Sequence, residues 1–193
     1  MTTPTSIHRL KIALQDIKPP IWRRLEVPSN STLADLHQHI QTAFMWFDCH
    51  LHDFDVDGTT YGIDDGEGWG DPPIDESTVR LSEVADAGTT LTYTYDFGDN
   101  WRHRIEVEAV EPVDSGATYP RCTGGRRSAP PEDVGGPWGY PQFVEAVTDP
   151  KHPGHDDQVA WFGRDDFDPS YFDMDGINEA LDLSSGHTAP RRR

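Results

Sequence analysis

The chain has 193 residues, with 34 acidic and 16 basic side chains and a formal net charge of −18. A chain of this length buries about 70% of its unfolded surface, so it can fold without disulfides or metals. The shortage of Lys and Arg disfavours nucleic acid as the main ligand, because phosphate binding requires clustered basic groups. There is no run of 18 apolar residues and no signal-peptide pattern, so we expect a cytoplasmic protein with no membrane partner.

The acidic charge is concentrated after the first quarter of the chain. Residues 1–47 carry five basic and three acidic groups, so the remaining 146 residues carry a net charge of −20. Most of these carboxylates are expected to serve turns and solubility. A weaker alternative is that the acidic part imitates nucleic acid for a basic protein partner. The two cysteines, 73 positions apart, encode neither a disulfide framework nor a cysteine-rich zinc site.

Two strands and a helix are predicted at the start of the chain. Apolar and polar residues alternate over residues 7–16 and again over 21–27, which is the period of half-buried strands. Residues 29–32 offer an N-cap, and apolar residues then recur at steps of three and four over 33–47. This recurrence predicts a helix, with His37 as a hydrogen-bonded histidine at the edge of the core.

Four further strands follow the helix, at residues 50–56, 59–63, 90–97 and 101–110. Asp57-Gly58 predicts a type I′ hairpin between the first two. The Asp-rich segment 53–64 resembles an EF-hand loop in its spacing. Its flanks alternate as strands, however, and Asp64 stands where a bidentate Glu is required, so the hairpin is preferred over calcium binding.

The order of strand, strand, helix and further strands predicts an α+β fold in which one helix covers a sheet. This order resembles the β-grasp, or ubiquitin-like, architecture. We expect the core over residues 7–112, and 113–183 as Gly/Pro-rich loops with short helices at 141–148 and 169–183 packed on it. The polar residues 184–193 are expected to form a disordered tail.

Basic and aromatic residues interleave on two of the predicted strands, at Arg23, Arg24, Arg102, Arg104, Trp22 and Trp101. Such a stripe can bind single-stranded nucleic acid. Acidic residues alternate with these arginines, so cross-strand ion pairs on a solvated face are the preferred interpretation.

Histidines and carboxylates recur where the predicted strands end and in a Pro-rich loop. The candidate metal ligands are His50, His52, His103, Asp96, Asp99, Glu132 and Asp133. Imidazole and carboxylate groups together suit zinc, manganese or iron, or a water activated for hydrolysis. The alternative is that these groups bond one another and cap backbone amides. A divalent metal ion is therefore the one cofactor that the sequence suggests.

Six spaced motifs resemble the plasmid pRiA4b ORF-3-like family, and the resemblance covers about residues 7–183. The motifs are IKPPIWRR at 17–24, FMW at 44–46, HLHDF at 50–54, YDFGDNWRH at 95–103, PPEDVGG at 130–136 and WFG at 161–163, and the pair Leu36-His37 between the first two also matches. Members are similar to insertion-element passenger proteins labelled TnpR-like, which implies a plasmid or mobile-element protein. That label suggests a recombinase, but no basic DNA-binding helix stands beside a nucleophilic serine. Some relatives carry cysteines near the PPEDVGG motif, whereas this chain has Ala129 and Val134 there.

Two functions follow, and the sequence leaves enzymatic activity undecided between them. The first is a binding or accessory module that acts through a protein partner, since no catalytic set is complete. The second is a metal-dependent enzyme, a hydrolase by its chemistry, that uses the histidine and carboxylate residues. Convergence of three of these ligands on one point would favour the enzyme.

Overall fold

The computed structural model describes residues 5–64, 66 and 71–184, and its central feature is one mixed sheet. The strands in this part of the chain are β1 (Ser6–Leu14), β2 (Trp22–Pro28), β3 (His52–Val56), β4 (Thr59–Gly62), β5 (Ile74–Asp75), β6 (Thr90–Tyr95), β7 (Trp101–Pro112) and β8 (Arg121–Arg126). Their order is β5-β4-β3-β6-β7-β1-β2-β8, and every neighbouring pair is antiparallel except β4 and β5. The prediction of a fold that mixes helices with a sheet is confirmed.

Helices cover one face of this sheet. Those in the described residues are α1 (Leu33–Phe44), α2 (Leu81–Val84), α3 (Gly136–Thr148), α4 (His155–Phe162) and α5 (Met174–Ser184), with a short 3-10 helix at Glu76–Thr78. Strand β7 shows the two faces, because Trp101, His103, Ile105 and Val107 are buried while the residues between them are exposed. Burying each large apolar side chain contributes about 1.5–3 kcal/mol, so this alternation fixes the register of the strand. None of the described helices is long and apolar enough to cross a membrane.

Helix α1 begins with a capping box and ends earlier than the sequence predicts. The Thr32 hydroxyl accepts the Asp35 N–H, and the Asp35 carboxylate accepts the Thr32 N–H. Met45 then turns left-handed at φ 58°, and the Trp46 N–H bonds back to the Gln41 carbonyl. The helix therefore stops at Phe44, and Phe47, which the apolar spacing assigned to it, is 82% exposed.

The opposite face of the sheet is solvated and carries ion pairs, as predicted. Arg24 bonds both oxygens of Glu108, and Glu26 accepts from Arg121 and lies near Arg9. Arg23 departs from this prediction because it lies on the other face and is only 3% exposed. The hairpin prediction is confirmed, since Asp57 and Gly58 join β3 to β4 with φ of 50° and 82°.

The segment after residue 112 contains more structure than predicted. Strand β8 and helix α4 were both missed. Helix α3 begins at Gly136, which puts Pro141 inside it, and α5 begins at Met174 instead of at residue 169. The predicted tail lies outside the described residues except for Ser184, which ends α5.

Strand β8 is an edge of the sheet, and α5 packs against it. The side chain of Asn178 bonds both backbone groups of Cys122: its oxygen accepts the N–H at 2.7 Å, and its nitrogen donates to the carbonyl at 3.0 Å. An amide side chain thus takes the place of a neighbouring strand at this point of β8.

Candidate metal centre

Three of the predicted ligands converge on one point. His50 Nε2 lies 3.1 Å from Asp133 Oδ1 and 3.6 Å from Asp96 Oδ2, and the three atoms lie within 4.8 Å of one another. Ligands bound at about 2.1 Å are separated by about 3.0 Å in an octahedral site and about 3.4 Å in a tetrahedral one. Both measured separations from His50 are therefore close to those of a metal-bound set.

His50 Nε2 is shielded from solvent and has no hydrogen-bond partner among the described residues. The Asp133 oxygen is near enough for an ion pair, but its direction from the imidazole does not satisfy hydrogen-bond geometry. A hydrogen bond weakens steeply when it is misaligned, so the two groups are close without being hydrogen-bonded. A buried ring nitrogen that faces two carboxylate oxygens without bonding either is the arrangement that a cation between them would satisfy.

Two paired strands bring His50 and Asp96 together. His52 of β3 pairs with Tyr95 of β6, and the Asp96 N–H donates to the Leu51 carbonyl. His50 and Asp96 therefore lie side by side just beyond the paired strand ends. The other carboxylate oxygen of Asp96 accepts the N–H groups of Gly98 and Asp99, which leaves Oδ2 toward His50.

Asp99 attaches the loop that carries Asp133. Its carboxylate accepts the Gly135 N–H at 3.0 Å, so it holds the loop at the turn between β6 and β7 and is itself no part of the cluster. Asp96 and Asp133 both adopt left-handed backbone, with φ of 56° and 59°. Such conformations are uncommon outside glycine and gather at functional sites.

Glu132 supports the same loop through two hydrogen bonds. Its carboxylate accepts the Tyr95 hydroxyl at 2.5 Å and the Phe47 N–H at 3.0 Å. Burial, and then the hydrogen bond to Glu132, raise the pKa of Tyr95, so the phenol keeps its proton and donates it to this bond. Glu132 therefore fixes the position of Asp133 from the preceding residue.

His103 lies in the hydrophobic core, away from the other predicted ligands. Its ring is fully buried, with Phe44 and Trp46 in edge contact. Nδ1 lies 3.1 Å from the Trp101 carbonyl, and Nε2 has no partner among the described residues. Burial lowers the pKa of His103 to about 3, so it is neutral at physiological pH.

His52 belongs to a second cluster, which spacing alone did not predict. Its Nε2 lies 3.0 Å from both Glu76 oxygens, and its ring stacks on that of His37 at 3.5 Å with an angle of 3° between the planes. His37 in turn contacts Asp48 and the Tyr93 hydroxyl, as expected for a hydrogen-bonded histidine at the core edge. A metal lies in the plane of each imidazole that binds it, so two parallel rings stacked at this distance are a poor metal pair.

A cavity of about 780 Å³ adjoins the first cluster. Asp133 and Glu132 lie on its wall, and the remaining wall is largely aromatic, with contributions from α1, the loop 45–49 and the segment 161–173. The volume lies in the range of small-molecule sites. A metal held by Asp133 would therefore be next to a chamber that can hold an organic molecule.

Gly136 fixes how closely the Asp133 loop approaches the β6–β7 turn. It has φ of 65°, and a Cβ there would overlap the Asp99 carbonyl oxygen. We expect Gly136→Ala to lower the free energy of unfolding by about 3 kcal/mol, because strain and overlap add. Gly58→Ala is the control, since Gly58 has φ of 82° with nothing within 4 Å, and it should cost about 1 kcal/mol. Urea denaturation measures both, and equal losses would contradict the close approach.

The comparisons with known proteins agree with the motifs of the sequence. The family model described as plasmid pRiA4b ORF-3-like protein matches residues 6–176. The chain belongs to this family. One relative, uncharacterized protein y4hQ of Sinorhizobium fredii, is 40% identical over 190 residues, which are 97% of each chain. The family match begins in β1 and ends in α5, so it spans both the sheet and the helices that follow it.

A solved structure also has the same fold. The crystal structure of MM3350 from Methanosarcina mazei, described as a protein of unknown function, matches with a TM-score of 0.80 and 41% identity. The match covers 89% of this chain and 97% of that chain. Neither relative is described by an activity, so the function of this family member has to be argued from its site.

Proposed function

We propose that this protein is a metal-dependent hydrolase whose metal ion is held by His50, Asp96 and Asp133. One observation carries the proposal: the solvent-shielded Nε2 of His50 faces two carboxylate oxygens at 3.1 and 3.6 Å and bonds neither. The cluster combines two carboxylates with one imidazole, and a divalent cation between them would offset the carboxylate charge.

The ligand set indicates which metals to expect. One nitrogen and two oxygens suit zinc, manganese or ferrous iron, and three protein ligands leave positions for water and substrate. A bound divalent metal lowers the pKa of its water toward neutrality. Held by His50, Asp96 and Asp133, the metal would supply this water as the nucleophile; hydrolysis would transfer its hydroxyl to the acyl carbon and its proton to the leaving group.

The arrangement of the ligands suits such a reaction. Asp96 is nearly buried and held by the strand ends, whereas the Asp133 side chain is 69% exposed and lies on the cavity wall. The metal would thus be fixed from the sheet side and open toward the cavity. Glu132 and Asp99 hold the Asp133 loop from both ends, so the third ligand is positioned before the metal arrives.

Metal analysis of protein purified without a histidine tag tests this function. We expect about one equivalent of a transition metal per chain, and hydrolysis of small esters or amides that is lost on chelation and restored by Mn²⁺ or Zn²⁺. Protein that binds neither ion, in direct titration at micromolar concentrations, would contradict the proposal.

The exposed apolar side chains beside the cavity favour a second function, a binding module. Met45, Phe47 and Trp161 are 72%, 82% and 48% exposed and line the same cavity. Clustered exposed apolar residues are typical of interaction surfaces. A protein partner that covers them would serve an accessory role, and Phe47→Ser should then weaken its capture without changing metal content.

Three finer features of the protein belong with these proposals. We infer a cytoplasmic location, which the two free cysteines fit, and a plasmid or mobile-element context from the family's name. The β-grasp description is proposed for the hairpin of β1 and β2, the following helix α1 and the strands beside them, which keep that order. Nucleic acid stays disfavoured as the main ligand because the net charge is −18.

A further inference from the structure

Arg23 carries a buried charge that no carboxylate compensates. Its side chain is on the covered face of β2 and only 3% exposed. None of the ion pairs in the described part of the chain includes it. A buried arginine is normally paired with an acid, because an unpaired charge in the interior is costly.

The guanidinium is held by backbone carbonyls alone. Nε donates to Ala43 O at 3.0 Å, and Nη1 donates to Trp22 O at 2.9 Å and Arg126 O at 3.1 Å. A guanidinium has five N–H donors, so these bonds use three of them. The two donors of Nη2 have no acceptor among the described residues, and Arg23 lies on the wall of the cavity.

Aromatic rings flank the guanidinium. Its central carbon lies 5.0 Å from the ring centres of both Phe44 and Phe172, and both rings also line the cavity. Burial lowers the pKa of Arg23 to about 10, which still leaves it protonated at neutral pH. The cavity therefore combines an aromatic wall with the buried guanidinium of Arg23, whose last two donors have no acceptor in the described part of the chain.

The other charged groups on the cavity wall have polar partners or belong to the metal cluster. Glu132 accepts from Tyr95 and Phe47, Asp173 accepts from Gly176 N–H and Tyr171 hydroxyl, and Asp133 is a proposed metal ligand. Arg164 pairs with Asp166. Within the described residues, Arg23 is the charged group of this wall whose partners are all backbone carbonyls.

We propose that the cavity binds a small monocarboxylate with an apolar or aromatic body, and that its carboxylate accepts hydrogen bonds from Arg23 Nη2. An N–H of Nη2 can form a charge-assisted hydrogen bond with a carboxylate oxygen, and a monoanion matches the single charge of this guanidinium. A phosphate dianion fits less well, since the carboxylates of Glu132, Asp133 and Asp173 share the cavity wall. The proposal rests on the function above only in one respect: it makes esters or amides that also bear such a carboxylate the substrate class of the metal centre.

A comparison of matched ligands tests this pocket in metal-free protein. With the chain kept in EDTA, tryptophan fluorescence and calorimetry follow the binding of 3-phenylpropanoate and of its neutral amide, 3-phenylpropanamide. We expect the acid to bind at least 10-fold more tightly, because it differs from the amide in the charge and acceptors offered to Arg23. Equal affinities, or tighter binding of phenyl phosphate, would overturn the proposal whether or not any variant folds.

Variants then assign the preference to Arg23. Arg23→Lys keeps a charge but loses the planar set of donors, and we expect it to reduce the preference for the acid to less than threefold. Arg24→Gln is the matched control, since Arg24 is the next residue on the solvated face and pairs with Glu108. Loss of the preference in Arg24→Gln, or its full retention in folded Arg23→Lys, would contradict the assignment.

The metal and the pocket can fail separately. If the acid binds but no acyl derivative is hydrolysed, with or without added metal, the proposed carboxylate pocket is supported and the proposed hydrolase function is contradicted. If metal-dependent hydrolysis is equally fast with and without a carboxylate on the substrate, the hydrolase function is supported and the proposed carboxylate specificity of the substrate is contradicted.

Discussion

Replacing His50 by Ala is expected to weaken Zn²⁺ or Mn²⁺ binding by about 100-fold or more, because it removes the one nitrogen ligand of the cluster. Asp96→Asn should have a comparable effect with less disturbance of the fold. Its remaining side-chain oxygen can still accept the Gly98 and Asp99 N–H groups that hold the turn. Calorimetric titration of metal-free protein measures the affinity in both cases.

His152→Ala serves as the control for this experiment. His152 lies outside the cluster and accepts the Gly154 N–H with its own ring nitrogen. If the metal bound nonspecifically to surface histidines, His152→Ala would weaken metal binding as much as His50→Ala does. Equal affinities of wild type, His50→Ala and Asp96→Asn would show that the three side chains are held by one another and not by a metal.

Replacing His103 by Leu should reduce the pH dependence of the free energy of unfolding in the acidic range. The folded pKa of His103 is about 3, below the ordinary value of about 6.5 that it regains on unfolding. Because the folded pKa is lower than the unfolded one, the contribution of His103 to the free energy of unfolding is complete above about pH 6.5 and is lost as the pH falls toward 3. Between pH 7 and pH 5 this single group accounts for about 2 kcal/mol.

Urea denaturation of wild type and His103→Leu at the two pH values measures this effect. Other histidines of lowered pKa, such as His8 and His39, contribute to the slope of both proteins, so the difference between the slopes isolates His103. Ile105→Val is the control, because it changes the packing of the same strand without changing a charge. A wild-type slope in His103→Leu would contradict a neutral buried imidazole.

The sequence predicted the first part of the fold well, because local rules act there without competition. Strands β1 and β2 follow from strict alternation, and Asp57-Gly58 determines its own hairpin. The prediction that α1 extends to Phe47 was wrong, because Trp46 leaves the helix and is buried, with its indole donating to the Pro130 carbonyl 84 residues away. No local pattern contains a contact of that range.

The sequence predicted the candidate site only in part, because long-range contacts decide which ligands come together. The sequence named His50, Asp96 and Asp133 among its candidate ligands, but the pairing of β3 with β6, which brings His50 beside Asp96, is a long-range contact that alternation does not determine. Spacing could not separate His52 from His50, because it does not show that the strand begins at His52, after Asp48 has turned left-handed at φ 56°. Arg23 was counted with a surface stripe although it shares the apolar face in the two-residue period, and that period was the signal that could have found it.

The bond pattern of Asn178 also bears on how the protein behaves at high concentration. A free strand edge offers alternating donors and acceptors to any other chain, and such edges lead to fibrils and swapped assemblies. At Cys122 both groups are already occupied by the Asn178 amide, and helix α5 lies over them. A second molecule would have to displace that helix before it could extend the sheet from β8, so one side chain helps to block strand addition at this edge of the sheet.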